Sequence, residues 1–153
     1  MRVRTWTVVV AGLLMIVGVS SAQTPAADTK PLIDPNTATE AELATVGHIT
    51  PAIAKVIITK RPFKTISDVD AVLRQHNLTP DQLKEVYGKM FVPIDLNTAT
   101  DEQIMLIPGM GKRMLHEFKE YRPYKSMAQF RREIGKYVSK EEVARFERYV
   151  KIG

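Results

Sequence analysis

An all-α fold, made of one unit of about four short helices written twice, is what this sequence predicts. Three observations carry that expectation. Helix-start signals recur at short intervals, apolar residues fall at three- and four-residue spacings, and no segment alternates polar and apolar as a strand does.

The repeat is read directly. Ile33-Asp34-Pro35-Asn36-Thr37-Ala38-Thr39 recurs as Ile94-Asp95-Leu96-Asn97-Thr98-Ala99-Thr100, 61 residues on. Arg61-Pro62-Phe63-Lys64 recurs as Arg122-Pro123-Tyr124-Lys125 at the same offset. Further on the offset falls to 60, aligning Leu78-Thr79 with Val138-Ser139, so the second copy has lost one loop residue. Self-similarity at a fixed period marks a repeated supersecondary unit. The first copy is residues 32–92 and the second residues 93–153.

Before the repeat come two other segments. Arg2 and Arg4 precede an uncharged apolar run from Trp6 to Val19, and Ser20-Ser21-Ala22 supplies small residues where a signal peptidase cuts. Residues 1–22 therefore read as a secretory signal peptide. The run is short of the ~20 residues a membrane span needs, so an uncleaved anchor is the weaker alternative. Residues 23–31, small and polar, read as a flexible leader. The expected address is periplasmic or secreted.

Within each copy, capping boxes open the helices. A Ser or Thr oxygen accepts from one orphan N–H of the first turn, and an acidic or amide side chain three residues on reaches back to another. Thr39…Glu42 and Thr100…Gln103 open the first helix, and Thr65…Asp68 and Ser126…Gln129 the third. Thr79…Gln82 and Ser139…Glu142 open the fourth, with Pro80 at a first helical position. The second helix of each copy ends before Pro62 or Pro123, because the residue before proline leaves the helical region. Met114, Leu115, Phe118 and Tyr121 form one apolar stripe, and Leu83, Val86, Tyr87 and Met90 another.

Composition excludes several chemistries. The chain has 153 residues and no cysteine, which rules out disulfides, zinc–thiolate sites, iron–sulfur clusters and a cysteine nucleophile. His48, His76 and His116 lack ligand spacing, so no metal site is expected. Ser139 and His116 have no triad partner, and Glu141 and Glu142 point apart on a helix, so no catalytic site and no small-molecule substrate are expected. The net charge is +5, or +3 once Arg2 and Arg4 are removed, which admits a polyanionic partner. Residues 32–92 carry 7 basic and 7 acidic side chains, and residues 93–153 carry 12 and 9, so the excess lies in the second copy.

That copy also holds the informative motif. Pro108-Gly109-Met110-Gly111-Lys112 lies between its first and second helices. Glycines allow positive φ and close approach of a ligand to the backbone. The helix start that follows offers free N–H groups at the positive end of the dipole, with Lys112 and Arg113 beside them. Gly109, Met110, Gly111, Lys112 and Arg113 are therefore the expected phosphate-binding residues, with Met110 packing back or lying against a sugar. Lys125, Arg131 and Arg132 are secondary phosphate candidates. Arg131, Arg132, Lys136, Lys140, Arg145 and Arg148 could extend a phosphate track, or else pair with Glu133, Glu141, Glu142 and Glu147 on helix faces. Tyr121, Tyr124, Tyr137 and Tyr149 read as core or groove aromatics.

Asn97-Thr98-Ala99-Thr100, then Ile107-Pro108-Gly109-Met110-Gly111-Lys112, then Tyr121-Arg122-Pro123-Tyr124-Lys125-Ser126 resembles the helix-hairpin-helix domain of the ComEA family, the exported DNA receptors of bacterial competence. The resemblance runs over residues 33–153 as two tandem copies. It implies two helix-hairpin-helix domains that hold double-stranded DNA without sequence preference, through hairpin N–H groups on phosphate. It also admits a monovalent cation at the Gly109–Gly111 hairpin, and other envelope proteins of a DNA-uptake system as partners. The first copy departs from the pattern: His48 and Thr50 replace the glycines and Pro51 the cation, so its hairpin reads as degenerate. The stretches Arg74–Leu78 and Gly135–Val138, where the family has a second glycine motif, lack it. The expected function is sequence-independent DNA binding by an exported protein; the alternative is a scaffold or protein-interaction module with little DNA binding.

Overall fold

A computed structural model describes residues 30–153. The expected signal peptide and nearly all of the expected leader lie outside the described residues. No helix among the described residues is long and apolar enough to cross a membrane.

The described residues form an all-α fold of eight short helices in two runs of four. The first run is α1 (Glu40–Ala44), α2 (Pro51–Thr59), α3 (Ile66–Arg74) and α4 (Pro80–Tyr87). The second is α5 (Asp101–Met105), α6 (Lys112–Glu120), α7 (Met127–Ile134) and α8 (Lys140–Glu147). Full capping boxes form at Thr39, Thr79 and Thr100. At Thr65 the Asp68 carboxylate accepts the amides of both Lys64 and Thr65. Ser126 and Ser139 cap with their own oxygens. The reciprocal bonds differ from expectation: Gln129 accepts from Lys125 N, and Glu142 is drawn away to Arg145. α2 and α6 stop before the Arg61–Pro62 and Arg122–Pro123 bonds, both cis.

The expectation of no strands needs one correction. β1 (Ile94–Asp95) pairs in parallel with β2 (Val150–Lys151), and Ile33 makes the equivalent isolated bridge to Met90. These pairings tie the first residues of each half to its last. Ile94 N donates to Tyr149 O at 2.9 Å, and Ile33 N to Lys89 O at 2.8 Å. Two-residue strands are too short to show alternation, so the sequence pattern could not reveal them.

The repeated loop motifs form a second tie. Asn97 Oδ1 accepts from Tyr124 N at 2.6 Å, and its Nδ2 donates to Tyr124 O at 3.0 Å. Arg122 donates to the carbonyls of Leu96 and Ala99 at 2.6 and 2.9 Å. Asn36 with Phe63, and Arg61 with Pro35 and Ala38, repeat this arrangement. The most visible repeat in the sequence is therefore a clasp that satisfies buried backbone groups.

One apolar cluster runs through both halves. In the second half, Phe118 meets Phe130 and Phe146 edge-to-face, each at 5.3 Å, and Tyr124 meets Phe130 at 5.7 Å. The matching buried positions of the first half are Ile57, Val69, Val86 and Phe63, mostly aliphatic. Phe91, at the end of the first half, packs edge-to-face on Tyr149 at 4.9 Å, so the junction is part of the core.

Candidate nucleic-acid interface

α5 ends at Met105 with Leu106 as its C-cap, and the chain turns through Pro108 and Gly109 into α6. Met110 N donates to Ile107 O at 3.0 Å, which closes the turn. Gly109 has φ +77°, a conformation that favours glycine. Gly111 is the N-cap of α6 with φ −114° and ψ 167°, so it does not use glycine's freedom. Its contribution is the missing side chain. No side-chain oxygen caps α6, and a Cβ at Gly111 would meet nothing within 4 Å. The first bond of the helix runs from Leu115 N to Gly111 O at 2.9 Å. The amides of Lys112, Arg113 and Met114 precede it, and such first-turn amides have no partner within their helix.

Lys112 and Arg113 are exposed at this helix end. Among the described residues, the Lys112 side chain has no ion pair. Arg113 lies over the Tyr137 ring, 5.7 Å from its centroid, and the Tyr137 hydroxyl is 2.7 Å from that of Tyr121. Of the expected residues, Met110 faces inward: it is 8% exposed and its amide is spent on Ile107. It packs back, leaving Gly109, Gly111, Lys112 and Arg113 at the surface.

The secondary candidates sit in other company. Arg131 pairs with Glu147, and Arg132 with Glu133 at 2.6 Å. Hydrogen bonds from Lys136 and then Arg132 hold the Glu133 carboxyl below its ordinary range. Lys125 is exposed, without an ion pair among the described residues. None of the three bonds to the Gly109 turn. Arg131, Arg132 and Lys140 rim a groove of about 620 Å³ between α7 and α8, floored by Ala128, Val143 and Ala144. Tyr124 and Tyr149 are buried, and Tyr121 and Tyr137 half-buried.

Sequence reasoning missed Arg145 as part of the turn. From α8 it donates to the Pro108 carbonyl at 2.7 Å, and Glu142 grips its guanidinium. Two carbonyls of the turn, those of Ile107 and Pro108, are thus already engaged by donors.

The corresponding turn of the first half keeps the backbone and closes the helix end. His48 takes φ +67°, so the hairpin shape survives without glycine. The hairpin expected to be degenerate keeps its turn and differs in what its amides face. Thr50 is the N-cap of α2, and its hydroxyl accepts from Ile53 N at 3.3 Å. Pro51 has no N–H to offer. Only the Ala52 amide of that first turn is left for anything outside.

Residues 28–88 match the family model of the helix-hairpin-helix motif. The match falls on the first half, and the second half repeats its elements in order. No curated protein and no solved structure matches the chain.

Proposed function

We propose that this is an exported, non-enzymatic protein that binds double-stranded DNA without sequence preference, in the manner of the ComEA family. The observation that carries the reading is the uncapped start of α6 behind the Gly109 turn, with Lys112 and Arg113 beside it. Backbone amides at a helix N-terminus suit phosphate oxygens, and the two cations add an electrostatic attraction that no base edge modulates. The helix-hairpin-helix motif of the first half supports a nucleic-acid partner. A role in DNA uptake, two tandem domains of this kind and contacts with other envelope proteins belong to the same proposal.

A second reading has its own support. Residues 32–92 are net neutral, and the start of α2 is capped by Thr50 with Pro51 offering no N–H. That half then serves as a scaffold or docking module, whether or not the other half binds DNA.

Binding of residues 23–153 to a random-sequence duplex, measured against salt, tests the first reading. The expected dissociation constant lies in the non-specific range, ~10⁻⁴–10⁻⁶ M, with a linear log–log fall as salt rises. No retention even at low salt would leave the scaffold reading alone. A strong preference for one base sequence would refute a phosphate-only mechanism.

A further inference from the structure

The fourth helix of each half reaches back to the first turn of the same half. In the second half, Arg145 Nη1 donates to the Pro108 carbonyl at 2.7 Å, and a Cβ on Gly109 would lie 3.2 Å from Nη2. Glu142 holds the guanidinium through two bonds, 2.8 and 2.6 Å. The rings of Phe146 and Tyr149 lie 4.6 and 5.9 Å from its carbon. Arg145 is therefore fixed, with its side chain 21% exposed.

The offset of 60 that aligns α8 with α4 places Glu85 where Arg145 stands. Glu85 reaches the first turn one position further on, at a side chain and not the backbone: its Oε2 is 2.8 Å from Nε2 of His48. His48 occupies the position of Gly109 and shares its left-handed conformation, φ +67° against +77°. One position on the fourth helix thus touches the left-handed corner of each turn, and its charge is reversed between the halves.

Building on the DNA reading, we propose that this fourth-helix residue decides which turn accepts an anion: Arg145 holds the Gly109 turn ready for phosphate, and Glu85 keeps phosphate off the His48 turn. Arg145 acts as a positioning residue. By binding the Pro108 carbonyl it keeps the acceptor side of the turn engaged, while the α6 amides remain for a ligand. Its own charge is largely met by Glu142, so it adds little to the count of phosphate-binding cations. Glu85 instead leaves a carboxylate, 69% exposed, beside the place a phosphate would need. Like charges at that range repel.

The test uses the purified protein and a random-sequence duplex over a salt series. Lys112→Ala lowers the log–log slope by about 1, as loss of one phosphate contact does. Arg145→Gln is expected to weaken binding about threefold or more, with the slope unchanged. Arg145→Glu is expected to weaken it at least about tenfold. The first half shows that this fold accepts glutamate here, so the helical circular dichroism is expected to stay as in the wild type. If Arg145→Glu loses that signal, Arg145→Gln carries the test. The other limb is read in the first half. His48→Gly, Thr50→Gly and Pro51→Lys together open that turn, and they are expected to add to the slope only when combined with Glu85→Arg. An equal gain with Glu85 retained overturns that limb. If Lys112→Ala weakens binding while both Arg145 variants bind as wild type, the inference falls and the DNA reading stands. If none of these variants changes binding at any salt, the α6 turn is not the site and the inference falls with it; if the wild type itself is not retained even at low salt, the DNA reading falls.

Discussion

The turn between α1 and α2 and the turn between α5 and α6 share a backbone and differ in what they leave open. Both have a left-handed residue at the corner, His48 or Gly109, and both enter the next helix through an extended N-cap, Thr50 or Gly111. A non-glycine residue in the left-handed region costs roughly 1–2 kcal/mol. The first half bears that cost, and the Glu85 contact to His48 offsets part of it. Its Ile53 amide is spent on the Thr50 hydroxyl and Pro51 has no N–H, which leaves only the Ala52 amide open. The second half relaxes the corner with Gly109 and leaves the α6 amides unspent. A turn of this shape is therefore a structural element by default. On the DNA reading proposed above, the second turn serves as a site for anions because its N-cap carries no side chain.

The largest effect that would sharpen the comparison lies in the cores beneath the turns. Phe118→Ala removes a ring that two phenylalanines contact, and is expected to cost ~3–5 kcal/mol in denaturant unfolding. Ile57→Ala, its counterpart in the first half, is expected to cost less, toward ~2 kcal/mol. Equal costs would mean that the aromatic cluster adds nothing beyond buried area.

Next come the corners. Gly109→Ala meets both the positive φ and the 3.2 Å approach of Arg145, and is expected to lose about 1–2 kcal/mol in thermal unfolding along with most duplex binding. His48→Gly is expected to be nearly neutral, because relief of strain is set against loss of the Glu85 contact. A destabilisation by His48→Gly as large as that by Gly109→Ala would show that the corners are not equivalent.

Gly111→Thr separates stability from binding. It copies Thr50 at a position whose φ of −114° suits any residue and whose Cβ meets open space. Unfolding is expected to become harder by a few tenths of a kcal/mol as α6 gains a cap. Duplex affinity is expected to fall about tenfold, since the hydroxyl takes an amide meant for phosphate. Unchanged affinity in a variant with a demonstrably better-capped helix would remove the α6 amides from the mechanism.

The smallest effect is in acid. Hydrogen bonds from Arg145 hold the Glu142 carboxyl below its ordinary value of 4.5. A carboxyl lowered in the folded state stabilises above its unfolded pKa, and that stability is lost as pH falls through the lower folded value. Glu142→Gln is therefore expected to flatten the pH dependence of stability below about 4.5 and to leave neutral behaviour little changed. An unaltered acid limb would mean that the Glu142–Arg145 pair is not formed in solution.

Much of this architecture was legible in the residues themselves. The repeat, six of the eight helix starts and the turn ahead of Lys112 are written in short strings, because caps and turn glycines act within three or four residues. The other two are α2, whose Thr50 cap carries no capping box, and α6, whose N-cap is a glycine. Gly111 and Thr50 could be contrasted from sequence for the same reason. The role of Asn97 and Arg122 was not legible in that way. Their recurrence drew attention to them, but nothing local distinguishes a clasp from a ligand site.

What only the tertiary structure decided are the contacts between residues far apart along the chain. Ile33 finds Met90, and Ile94 finds Val150, so each half is closed by strands too short to announce themselves. Glu85 reaches His48, and Arg145 reaches Pro108, each 37 residues away. Capping and turn preferences are set by a residue and its immediate neighbours, so the sequence by itself determined where the helices start and where the chain turns. Which side chain from the fourth helix arrives at a turn depends on how four helices pack around Phe118 or Ile57. No local pattern encodes that distance.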